Sequence, residues 1–300
     1  MLKIWFWALR PWSYTAAFVP VALGTVLAAW QDKFDIGLFL LTLVGGVFMQ
    51  AGTNLINTYG DYISGVDTLD SAVTCPQLVS GILKPFEIKA AGIVFFAFAC
   101  AIGGWLTYQR GWPIIIVGLI GLIGGYCYTA GFSYKYKGLG SIVVFFLMGP
   151  LMAWPAYFIQ TGQLNWLPVW VSLPVGFLVA GILHANDLRD MAYDRQAGIK
   201  TLALILGLRK SMTLYYSLYL AAFLCLAGMV SASLLPWTAA LPVILIPTTL
   251  KLLDQARIAA KGSREAMLVL ESAAAKFHFQ FGLLLIAGVA IHPLAQRWLM

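Results

Sequence analysis

Stretches of 17 to 21 residues carrying at most one charged side chain recur nine times along this 300-residue chain. They lie near 14–30, 37–57, 89–108, 112–129, 140–160, 165–185, 211–231, 234–252 and 275–294. A helix of about 20 apolar residues crosses the hydrocarbon of a bilayer. Backbone facing lipid must satisfy its own hydrogen bonds, which leaves helices or closed barrels. No stretch alternates apolar and polar residues as a barrel strand does. The expected fold class is therefore all-α, a polytopic membrane protein of nine transmembrane helices forming a single domain over residues 1–300. The first stretch follows Lys3 and Arg10, as a cleaved leader would. It is close to spanning length and further stretches follow, so it reads as the first membrane helix.

Charged residues make up 10% of the chain, against about 25% in an ordinary soluble domain. The net charge of +7 does not call for nucleic acid. Lys and Arg collect in cytoplasmic loops of membrane proteins. With the N-terminus in the cytoplasm, the N-terminal segment and the loops after helices 2, 4, 6 and 8 hold 16 of the 19 Lys and Arg. Only Lys33, Arg110 and Arg297 fall elsewhere. The expected location is the inner (cytoplasmic) membrane of a cell, N-terminus inside and C-terminus outside, with the lipid bilayer as surroundings. No nucleic-acid or protein partner is implied. The four cysteines have no metal-ligand spacing, and none of the three histidines has a partner in a shared motif.

Acidic residues are placed more narrowly. Asp61, Asp67 and Asp70 follow helix 2; Asp187, Asp190 and Asp194 follow helix 6. Asn57 and Asp61 are i and i+4 on a helix continuing out of span 2, with Asn54 a turn earlier. Gly65 permits a bend that can return Asp67 toward Asp61. Asn186, Asp190 and Asp194 form a single stripe on the second helix. Two unit charges 4 Å apart interact by on the order of 4 kcal/mol near a protein surface, so such rails need a counter-charge. Oxygen-only donors suit Mg²⁺, which takes one or two carboxylates and completes its shell with water and phosphate. Two facing oxygen rails match a diphosphate bridged by Mg²⁺. Arg189 sits inside the second patch, Lys84 follows the first, and Lys135 and Lys137 lie in the loop after helix 4; each is a candidate to bind phosphate oxygens.

These motifs resemble the UbiA superfamily of intramembrane prenyltransferases, and most of all its menaquinone-type branch, the 1,4-dihydroxy-2-naphthoate polyprenyltransferases. The resemblance rests on "NLINTYGDYISGVDT", "NDLRDMAYDRQAGIKTLA", "YTAGFSYKYKGLG", the opening "ALRPWSYTAAFVPVALGT" and the late "KFHFQFGLLL". It implies a nine-helix bundle with a central cavity open to the cytoplasmic side. It also implies transfer of a polyprenyl group from a prenyl diphosphate to an aromatic acceptor, with loss of CO₂ when the acceptor is 1,4-dihydroxy-2-naphthoate, giving demethylmenaquinol. Carried over, Asn57, Asp61 and Asp67 form one metal site and Asp190 and Asp194 a second, so that two Mg²⁺ ions bridge the diphosphate. Arg189 and Lys135, with Lys84, would hold the diphosphate. Tyr128, Asn54, Asn186 and Arg10 would line the cavity on the acceptor side.

The sequence departs from the family pattern at four places. Thr58 stands where many superfamily members have Asp, Ser141 where the branch often has an acid, and Asp187 where Asn is common. "RPWSY" replaces the usual basic-polar spelling. Another aromatic acceptor such as 4-hydroxybenzoate stays open. So does a transporter with a cation-binding acidic vestibule, since intramembrane acids often mark ion paths, and so does a relative that only binds lipid diphosphates. Against transport, the acids cluster at one membrane face.

Overall fold

The computed structural model describes residues 1–69, 71–72 and 75–299, with side chains up to His292. Asp70 lies outside the described residues. The described chain is helical in twelve α-helices: α1 (Leu2–Ala8), α2 (Thr15–Ala29), α3 (Ile36–Ile63), α4 (Pro85–Arg110), α5 (Pro113–Tyr126), α6 (Gly140–Met148), α7 (Pro150–Thr161), α8 (Leu167–Val171), α9 (Leu173–Gln196), α10 (Leu202–Ser231), α11 (Ile246–Ala260) and α12 (Arg264–Leu299). A tight 3₁₀ segment, Trp237–Leu245, leads into α11.

Local chemistry sets the boundaries. Asp35 caps α3, its carboxylate accepting from the Leu38 N–H at 2.9 Å. Prolines open α4, α5 and α7, where the missing N–H removes no helical bond. Pro150 also explains why the expected span 140–160 is broken. Its ring cannot continue α6, so the segment resumes as α7 after a non-helical Gly149.

Seven helices or helix pairs are long and apolar enough to cross a membrane: Pro11–Ala29, Ile36–Ile63, Pro85–Arg110, Gly140–Thr161, Leu202–Ser231, Trp237–Ala260 and Arg264–His292. The expected span 112–129 falls on α5, which is apolar but only 14 residues long. The expected span 165–185 falls on α8 and the first half of α9, whose second half is polar. Span 9, expected from 275, begins earlier, at Arg264, and thereby takes Glu271 into the helix.

The principal core is formed by α2, α7, α9, α10 and α12, around Leu23, Tyr157, Leu178, Tyr219, Phe277 and Phe281. A smaller core packs α1 and the 75–83 loop on α3 and α4. Leu40, Val44, Ile93, Ile116, Leu119 and Ile120 are exposed on the outer faces of α3, α4 and α5, as lipid-facing side chains are.

Candidate active site

Leu9, Arg10 and Ser13, near the N-terminus, anchor the first rail. Asn54 donates to the Leu9 carbonyl at 3.0 Å and to Ser13 Oγ at 2.9 Å. Arg10 forks onto α3, with Nη1 to Asn57 Oδ1 and Nη2 to Thr58 Oγ1, each at 3.1 Å. Asn57 Nδ2 in turn donates to Asp61 Oδ2 at 2.8 Å, the i to i+4 bond expected from the spacing. The Thr58 departure thus places a hydroxyl under the arginine.

Asp61 is the most heavily bonded acid. Lys135 Nζ reaches Oδ2 at 2.9 Å and Oδ1 at 3.2 Å, and Tyr136 OH donates to Oδ1 at 2.6 Å. Gly65, at φ +69°, makes the expected bend. The chain folds back so that the N–H groups of Val66 and Asp67 both donate to the Asp61 carbonyl. Burial and the neighbouring Asp61 push the Asp67 carboxyl up to about 6. Burial favours the neutral amine at Lys135, but Asp61, Tyr136 and Asp194 outweigh it and hold the ammonium charged beyond the usual lysine range.

The second rail is braced differently. Arg189 grips its neighbour Asp190 with two bonds of 2.8 and 2.7 Å and pairs through Nη1 with Glu271 on α12. Asn186 donates to the same Glu271 oxygen at 3.1 Å. Asp194 accepts from Thr201 Oγ1 at 3.2 Å. Asp187 is 2% exposed and lies near Lys135, and its Oδ1 has no hydrogen-bond partner among the described residues.

Both rails line one polar chamber, bounded by Asn57, Asp61, Asp67, Asp190 and Asp194 with Arg10, Lys135 and Arg189. Below it lies an apolar cavity of about 280 Å³. Arg10, Asn57 and Asn186 belong to the walls of both spaces. Tyr128, Asn54 and Asn186 line the apolar cavity. Lys84 lines neither space. It is exposed at the start of α4, where its backbone N–H is bonded to Glu87 Oε2 at 2.8 Å. The diphosphate role expected for it is corrected on that ground: a helix-capping turn holds its backbone outside the chamber.

Sequence reasoning missed Tyr136 and Glu271. Neither stood out: Glu271 lies between Glu265 and Lys276 in a stretch whose charges read as a loop, and Tyr136 offered only adjacency to Lys135.

Among the described residues, no three His, Cys, Asp or Glu side chains are grouped closely enough to hold a metal by themselves. The donors are nonetheless all hard oxygens, and Lys135 and Arg189 provide the positive charge against Asp61 and Asp190. That fits a Mg²⁺ ion whose shell a phosphate helps to complete, and does not fit a zinc site.

A carboxylate chamber sharing walls with a greasy pocket inside a multi-span helical bundle defines a membrane protein with a charged site set against an apolar one. The chain belongs to the UbiA prenyltransferase family, whose profile matches residues 17–292, and it is a prenyltransferase. It is 35% identical to mouse UbiA prenyltransferase domain-containing protein 1 over 293 residues, 95% of this chain and 83% of that one. It is 34% identical to the 1,4-dihydroxy-2-naphthoate octaprenyltransferase of Bacillus subtilis over 230 residues, 76% and 74% of the two chains. The fold is shared with a UbiA homologue from Aeropyrum pernix (TM-score 0.66, 16% identity, 93% and 98% covered). It is also shared with one from Archaeoglobus fulgidus bound to GPP and Mg²⁺ (TM-score 0.59, 17% identity, 95% and 99% covered). Family membership displaces the transporter reading.

Proposed function

We propose that the protein transfers a polyprenyl group from a prenyl diphosphate to 1,4-dihydroxy-2-naphthoate, with loss of CO₂ to give demethylmenaquinol. One observation carries the reading: the charged chamber and the apolar cavity share Arg10, Asn57 and Asn186. A diphosphate seated among the Asp residues therefore has its allylic carbon at the boundary and its tail in the cavity. The naphthoate acceptor is supported by the likeness to the Bacillus subtilis enzyme over three quarters of the chain.

Asn57, Asp61 and Asp67 on one side, and Asp190 and Asp194 on the other, are the groups that would hold two Mg²⁺ ions. When bound, these supply positive charge to the leaving diphosphate. Lys135 and Arg189 exchange carboxylate for phosphate oxygens as the donor arrives. Tyr128 and the aliphatic wall keep water from the allylic carbon while the C–O bond breaks. The chamber faces the cytoplasm in a nine-span arrangement with the N-terminus inside, α5 and α8–α9 completing the seven longer spans; this follows the loop charge asymmetry.

The test is product analysis by mass spectrometry with purified protein, one prenyl diphosphate, Mg²⁺ or chelator, and a panel of hydroxyarenes. Prenylated, decarboxylated naphthoquinol only with Mg²⁺ is the expected result. Prenylation of 4-hydroxybenzoate in its place would reassign the acceptor.

A further inference from the structure

We propose that Glu271 binds the ring hydroxyl of the acceptor and takes its proton as the new carbon–carbon bond forms; this rests on the transfer reaction proposed above. Among the described residues, Glu271 is the one carboxylate lining the apolar cavity, whereas the motif aspartates line the chamber above. Its position is fixed. Oε2 receives Asn186 Nδ2 and Arg189 Nη1, so the side chain is tied to α9. Its other oxygen, Oε1, receives no hydrogen bond among the described residues, although a carboxylate has about four acceptor positions.

Charge balance points the same way. Arg189 already holds Asp190 by a two-bond fork. One guanidinium thus faces two carboxylates, and Glu271 brings a surplus negative charge to the edge of an apolar space. A hydroxyl donor satisfies Oε1 there, and a neutral apolar tail does not. The rest of the cavity wall is mostly aliphatic and aromatic, with Arg10 as its single cation among the described residues.

In the step itself the acceptor O–H bond breaks and the proton passes to Glu271 Oε1. The electron pair moves through the ring to the carbon that bonds the allylic carbon, and the allylic C–O pair departs with the diphosphate. The substituted carbon then loses H⁺ or CO₂. That bonding pair restores the aromatic ring as a phenolate, to which Glu271 returns its proton.

The test uses the full chain with Glu271→Gln and Glu271→Asp. It measures kcat, KM for a hydroxyarene and for its O-methyl ether, and the Kd of the prenyl diphosphate. Glu271→Gln is expected to lower kcat by about 10²- to 10⁴-fold, the usual range for a general base. It should leave the donor Kd within about threefold, roughly 0.6 kcal/mol. Glu271→Asp should recover part of the rate, and the preference of wild type for hydroxyl over methyl ether should vanish once the glutamate is gone. A kcat within threefold of wild type overturns the proposal. So does a fall in donor affinity that matches the fall in rate, because Glu271 would then act only through Arg189. Equal inactivity of both variants with lowered thermal stability also overturns it, leaving a brace between α9 and α12. A wild type that prenylates no hydroxyarene overturns the transfer reaction itself, which distinguishes the two failures.

Discussion

Replacing Lys135 by Met should destabilise the protein through a carboxylate, not through a lost contact. The ammonium sits 2.9 and 3.2 Å from the two oxygens of Asp61, and the side chains are 8% and 5% exposed. Met has similar length, so packing is nearly kept. What changes is that Asp61 remains buried beside Asp67 without its cation. Removing one partner of a buried pair costs about 3–5 kcal/mol. Asp61→Asn removes the other charge, and the double variant leaves neither stranded. The double variant should therefore lose well under the sum of the two single losses, by about 2 kcal/mol or more, within the range measured for contacting pairs. Millimolar Mg²⁺ should restore more stability to Lys135→Met than to wild type, because the freed carboxylate is open to the metal. The assay is unfolding of the detergent-solubilised protein, with and without Mg²⁺, followed through its 11 tryptophans. Additive losses within about 0.5 kcal/mol would refute the reasoning, since independent sites add to that precision.

Asp67, pushed up to about 6, should make Mg²⁺ binding pH-dependent. Only the ionised form is a ligand, so affinity measured by calorimetry should be flat above about pH 7 and fall as pH drops through 6; Asp67→Asn should weaken that fall, and adding Asp194→Asn, the other ligand raised to about 6, should abolish it. The same raised value means that the metal-free protein gains stability from protonated Asp67 below its ordinary value of 3.8 and loses it as pH rises through 6. Asp187→Asn should raise thermal stability by about 1–3 kcal/mol without metal, because it replaces a buried acid that is short of partners among the described residues with a neutral amide; an unchanged melting temperature counts against it. Gly60→Ala should lower both stability and activity, since a Cβ there meets Thr129 Oγ1 at 2.7 Å and its carbonyl at 2.8 Å and would push Asp61 from Lys135. Overpacking of this kind costs about 1–3 kcal/mol, and wild-type turnover by the variant would show that the loop yields. Asp61→Ala and Asp190→Ala should each abolish turnover with the fold intact by circular dichroism; near wild-type rates at low Mg²⁺ would remove the residue from its assigned metal site.

What could be read from the chain was what depends on spacing. The Asn57–Asp61 bond follows from i to i+4 geometry, and the return of Asp67 follows from a glycine at the bend. The seven longer spans announced themselves by the length of their apolar runs. Periodicity could not show that Tyr136 meets Asp61 or that Glu271 meets Arg189, because those pairs are 75 and 82 residues apart and are set by how helices pack. Lys84 was misplaced for a related reason: proximity in sequence to an acidic patch says little once Pro85 starts a helix that carries the backbone away. The apolar runs over 112–129 and 165–185 are the least legible, since α5 is short and α8–α9 spends half its length on polar chemistry.

The pair between Arg189 and Glu271, with Arg10 on Asn57 at the other end of the chain, has a consequence for biogenesis. Translation must pass residue 271 before the second rail is braced, although the first rail leaves the ribosome with Asp61 still lacking Lys135. A nascent chain at that stage carries an uncompensated acid at the edge of the membrane. Such contacts between distant segments close late and slowly. Chains interrupted before the last helix would thus sit in the membrane without a closed cavity, unable to draw on the cell's pool of activated isoprenoid. Quality control would meet them as exposed acids on an unfinished bundle, before they could act on any substrate.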